Sequence, residues 1–140
     1  MNKEEKELLT KDFCARLSYG LKLNFYSRAT NENVLCTLLG VEPESEKPII
    51  AKTDKGAFTF TQDHVKPYLR PMSSMTEEEM QEYQMFIEYS YNDFTSESTP
   101  CVYVSEINKY IDWLNAHHFD YQGLIEMRLA LEAPEGMYNC

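Results

Sequence analysis

The stretch PIIAKTDKGAFTFT, residues 48–61, places two short runs of strand-forming residues on either side of Asp54, Lys55 and Gly56. β-Branched and aromatic residues fit a pleated, half-buried surface, and a glycine can adopt the positive φ that a tight connection needs. The segment therefore predicts a hairpin. In AFTFT the phenylalanines alternate with threonines, the period expected of a strand with one buried face.

Upstream, LKLNFY (21–26) and VLCTLLGV (34–41) have the same strand-like length and composition, separated by the turn-like ATNEN and EPESE. Downstream, TQDHV predicts one helical turn and KPYLRP a short last strand, whose prolines suit an edge or terminal position. Strands in this order, with one tight turn and a short final strand, match the element order of a small SH3-like barrel. That is the nearest architecture for residues 21–71, with an open, curled antiparallel sheet as the alternative.

Helical patterns flank this sheet. From about Lys3 to Leu17, Leu9, Phe13 and Leu17 recur every four residues, while Glu4, Glu5 and Glu7 lie near the start, where the helix dipole favours negative charge. Gly20 is a natural stop. In SSMTEEEMQEYQMFIEY, Thr76 and Glu79 have capping-box spacing, and Met80, Tyr83 and Ile87 mark one helical face. NDFTSESTP reads as a polar loop and VYV (102–104) as a short strand. Ser105 and Glu106 then open a helix whose buried stripe is Ile107, Tyr110, Ile111 and Leu114. It should end near His117, with Asp120 capping a short turn through Leu124 and Ile125 and LALEAPEGMYNC as a tail. The predicted fold is α+β in a single domain, 1–140: a small, strongly bent antiparallel sheet packed by an N-terminal helix (1–20) and by helices in 72–140.

The chain has 140 residues, of which 43% are hydrophobic and 13% aromatic, enough to build one core without metal or disulfide staples. There is no apolar run of membrane-spanning length and no hydrophobic leader, so a soluble, cytoplasmic protein is expected. Cys14, Cys36, Cys101 and Cys140 form no C-x-x-C pair, so free thiols are expected.

The formal charge is -10, from 23 acidic and 13 basic residues. Its distribution is uneven: between Pro71 and Asn108 there is no Lys or Arg, while Glu77, Glu78, Glu79, Glu82, Glu88, Asp93, Glu97 and Glu106 all fall there. Such a chain repels phosphate backbones and anionic membranes, so neither direct nucleic-acid binding nor membrane binding is expected.

Few residues nominate chemistry. His117 and His118 are consecutive at a helix end, so their side chains diverge by about 100° and grip one ion poorly. Histidines there also interact favourably with the exposed carbonyls. Asp63 beside His64 is not the geometry of a base and its orienting carboxylate, and no nucleophile motif such as G-x-S-x-G is present. The five glycines form neither a P-loop nor a dinucleotide fingerprint, and no cofactor is implied. The carboxylates of EEEMQE read as a solvated helix start.

Surface recognition remains. Tyr83, Phe86, Tyr89, Tyr91, Phe94 and Tyr103 share the segment that lacks basic residues. An acidic face with tyrosine anchors fits a basic protein partner. The residues that would carry it are Glu78, Glu82 and Tyr89, with Trp113, Phe119 and Tyr121 as a second aromatic patch. Two alternatives stand beside it: a metal-dependent factor or enzyme using His117, His118 and Asp120, and an acidic mimic of nucleic acid.

Three stretches, CARLSYGLKL (14–23), VKPYLRPMSSMTEEEMQEY (65–83) and WLNAHHFDYQGLIEMRLALEAPEGMY (113–138), resemble a group of small uncharacterised proteins from Bacteroides-type gut anaerobes and their phages or prophages. The likeness runs from about Asp12 to Tyr138 and is loosest between Leu23 and Val65. The group often has proline at the place of Ser18, arginine at that of Gln122 and glycine at that of Arg128. The resemblance implies context alone: a cytoplasmic accessory protein of mobile-element type, with no catalytic residue to carry over.

Overall fold

The computed structural model describes residues 1–92, 97–102 and 104–138, leaving aside the side chains at 88–92, 97–101 and 104. Helix α1 (Lys3–Arg16) opens with a capping box between Asn2 and Glu5. A short 3-10 turn then ends at Gly20, whose φ of 69° turns the chain into the sheet.

Four antiparallel strands follow: β1 (Lys22–Ser27), β2 (Glu32–Val41), β3 (Ile49–Thr53) and β4 (Gly56–Phe60). The β3–β4 connection is the predicted hairpin. Thr53 pairs with Gly56, and Gly56 takes a φ of 124°. A register shift lies between Leu38 and Gly40. The extra residue, Leu39, restarts the alternation, so that Val41 packs against the core as Leu38 does.

The predicted helical turn is present at Gln62–His64, and β5 (Val65–Pro71) pairs antiparallel with β1. Its other side corrects three expectations. β8 (Phe119–Asp120) and β9 (Leu131–Glu132) both pair with β5 in parallel. The sheet is therefore mixed, and its seven strands run β4-β3-β2-β1-β5-β8 with β9 beside β5. It does not close into an SH3-like barrel. β5, expected at an edge because of Pro67 and Pro71, is interior; the partners on its second side are two residues long, so few of its amides are needed there.

Parallel pairing requires a long crossover, and residues 72–118 supply it. They hold α2 (Glu77–Met85), an antiparallel pair β6 (Glu88–Asn92) and β7 (Glu97–Cys101), and α3 (Ile107–Ala116). α2 stops two residues before Ile87, and β7 occupies the predicted polar loop. At its described positions the expected VYV strand is not seen: Val102 lies in no strand and Val104 begins a 3-10 turn, while Tyr103 lies outside the described residues.

The core lies between α1 and one face of the sheet. Leu9 and Phe13 of α1 pack with Leu21, Leu23, Cys36, Leu38, Ile49, Val65 and Leu69, and Leu124 and Leu129 join from the C-terminal segment. Four positions predicted to face the core are exposed instead: Leu17 after α1, Phe58 on β4, Met80 on α2 and Ile107 on α3. No helix among the described residues is long and apolar enough to cross a membrane.

Candidate functional site

The C-terminal end of β5 meets the start of α2 and the end of α3. Thr76 and Glu79 form the predicted capping box: the Thr76 hydroxyl accepts the Glu79 amide at 3.1 Å, and Glu79 Oε1 accepts the Thr76 amide at 3.0 Å. Glu79 is also bonded beyond its helix. Arg70 Nη1 donates to its Oε2 at 2.7 Å and Arg70 Nη2 to its Oε1 at 2.6 Å, a bidentate pair. His117 Nδ1 lies 3.1 Å from the same Oε2. The expectation of solvated charge fails here, because Glu79 is buried while its neighbours Glu77 and Glu78 are exposed. The hydrogen bonds from Arg70, outweighing burial, pull its carboxyl down to about 2.

Aromatic rings support this cluster. The Arg70 guanidinium sits over the Phe119 ring at 4.3 Å, and Trp113 stacks on Phe119 at 5.6 Å and packs against His117 at 4.5 Å. Trp113 Nε1 donates to Glu82 Oε2 at 2.8 Å. Tyr83 of α2 and Phe86, the residue that ends it, pack against Tyr110 and Trp113 of α3.

Above the Arg70–Glu79 pair opens a cleft of about 680 Å³. Glu78, Glu79 and Glu82 line it from α2, and Glu132 and Glu135 from the terminal arm. That arm is fastened at both ends. The Ala133 amide donates to the Leu69 carbonyl at 2.8 Å. The Tyr138 hydroxyl donates to the Tyr68 carbonyl at 2.7 Å and accepts the Lys22 amide at 2.9 Å.

His117 and His118 diverge as their spacing requires. His118 takes a left-handed φ of 62°, is buried, and stacks on Tyr138 with ring centroids 3.6 Å apart. Its Nδ1 has no hydrogen-bond partner among the described residues, and burial, then the charges of Arg16 and Arg70, push its pKa down to about 4. Asp120 is occupied as the predicted cap: its two carboxylate oxygens accept the Leu124 and Ile125 amides, each at 2.9 Å. The set His117, His118 and Asp120 is thus not brought together. Among the described residues no group of three or more His, Cys, Asp or Glu is arranged to hold a metal ion. Asp63 pairs with Lys6 and the N-terminal amine, while His64 Nδ1 lies 2.9 Å from the Thr61 hydroxyl.

The nominated docking residues divide. Glu78 and Glu82 line the cleft, and Trp113 is half-buried beside it. Phe119 is fully buried and belongs to no surface patch, because the predicted aromatic patch is folded under Arg70. Tyr121 is half-buried, under the Arg16 guanidinium, with its hydroxyl donating to Asn115. The Tyr89 side chain lies outside the described residues, as do Phe94 and the side chain of Tyr91. Sequence reasoning missed Arg70, Glu132 and Glu135: Arg70 stood in an unremarkable strand, and the two glutamates in what read as a tail.

No family model, curated protein or solved structure matches the chain.

Proposed function

We propose that the chain is a non-enzymatic protein-interaction or accessory module, of phage or prophage type, whose acidic cleft docks a basic partner protein. The observation that carries this reading is the cleft lining: five glutamates face one arginine, and that arginine is already held bidentate by Glu79. Glu78, Glu82, Glu132 and Glu135 thus stand around a neutralised floor and favour an incoming ammonium or guanidinium group. The open cleft admits a side chain or an extended segment.

Trp113 is the only tryptophan and bonds Glu82 at the edge of the cleft, so its fluorescence reports occupancy. Titration with a lysine- and arginine-rich peptide should change Trp113 emission, with affinity falling as ionic strength rises and falling at least tenfold in E78K/E135K. No change at low ionic strength would overturn the reading. Competition between DNA and the chain for a basic protein would favour nucleic-acid mimicry as the form of docking.

A further inference from the structure

We propose that the outward face of the sheet is a docking surface for a second copy of this chain, received against the acidic rim of the cleft. The inference deepens the reading above and rests on it. In an antiparallel ladder, paired residues share a face. Lys22, Thr37 and Lys52 therefore form one row across β1, β2 and β3, and Lys66, Asn24 and Leu35 form a second across β5, β1 and β2. β4 continues the same face with Ala57 and Thr59, opposite Lys52 and Ile50. The other face of these strands is the core.

This face carries no Asp or Glu at any of these paired positions, in a chain whose formal charge is -10. At the usual strand spacing Lys22 and Lys52 lie about 10 Å apart. Among the lysines Leu35 is 55% exposed and Tyr26 is 45% exposed. The face is thus basic and partly apolar. α2 presents the opposite: Glu77, Glu78 and Glu82 are exposed, together with Met85, which is 84% exposed. The chain itself holds both halves of a complementary pair.

Net charge does not forbid the contact. At physiological ionic strength the screening length is about 8 Å, so charge outside the interface is damped while paired patches still attract. Because the two surfaces differ, the contact is head-to-tail and leaves one free surface of each sign, so it extends beyond a dimer or closes into a ring.

Sedimentation velocity over a range of concentrations tests this. At low ionic strength the wild-type chain should associate with rising concentration, and high salt should reverse it. K52E/K66E and E78K/E135K should each be monomeric, whereas an equimolar mixture, in which every surface again meets one of opposite charge, should regain association. Circular dichroism confirms that both variants are folded. A wild type that stays monomeric yet binds the basic peptide overturns self-docking and leaves the cleft reading standing. A chain that does neither overturns both, and reversed variants that associate as the wild type does overturn the sheet face as the surface.

Discussion

Arg70 and Glu79, nine residues apart, are joined by two parallel hydrogen bonds of 2.7 and 2.6 Å, and the same carboxylate closes the first turn of α2. One side chain thus ties β5 to the helix that frames the cleft. Replacing Arg70 by Met should leave a largely buried carboxylate without its guanidinium, held only by the Thr76 amide and His117 among the described residues. The expected cost is about 3 kcal/mol, at the low end for breaking a buried pair because both partners keep some exposure. T76A, which removes only the cap, should cost about 1 kcal/mol. Urea unfolding of both variants measures the difference.

Acid should lower the stability of the protein in two pH windows. His118 is held down at about 4 against an ordinary 6.5, so between those values the unfolded chain takes up a proton that the folded chain refuses. Stability falls as pH drops through that window and loses nothing further from His118 below it. The Glu79 carboxyl lies at about 2 against 4.5, so its contribution is present above 4.5 and is lost as pH falls toward 2. H118N, whose side chain tolerates the left-handed backbone, should flatten the profile in the upper window, and E79Q in the lower. Denaturant midpoints measured across pH read both, and unchanged profiles would contradict the assignment.

The Tyr138 hydroxyl couples the terminal arm to two strands. Y138F should remove about 1 kcal/mol, the net worth of a typical hydrogen bond, and should speed hydrogen exchange at the Lys22 amide, which loses its acceptor. Exchange unchanged at Lys22 would place the arm's anchor elsewhere.

Phe13 and Phe58 should respond oppositely to truncation. Phe13 is fully buried among the core residues, and F13A should cost about 3–5 kcal/mol. Phe58 shares the core-facing side of the edge strand with Phe60 but is 48% exposed, so F58S should stay within about 0.5 kcal/mol. Thermal unfolding of the two variants decides the matter, and a costly F58S would show that something covers this edge.

The readable parts of the fold were those decided within a few residues. Asp54-Lys55-Gly56 specified its hairpin, Thr76 and Glu79 their capping box, and Asp120 its turn, because each depends on backbone amides close in the chain. The helix ending at His117 and the divergence of His117 from His118 follow from helical geometry alone. The acidic character of the cleft was legible in part: Glu78 and Glu82 stood in a segment without basic residues.

What tertiary structure alone decided is long-range. β8 and β9 are two residues each, too short to show a strand pattern, and exist only because β5 is there to pair with them. That pairing makes the sheet mixed and open, brings the arm with Glu132 and Glu135 opposite α2, and buries Phe119 beneath Arg70. Glu79 looked like any solvated carboxylate of a helix start until the crossover set Arg70 and His117 against it. Local backbone chemistry is written in neighbouring residues. The partner of a buried charge is written nowhere near it, and depends on which surfaces the whole chain brings together.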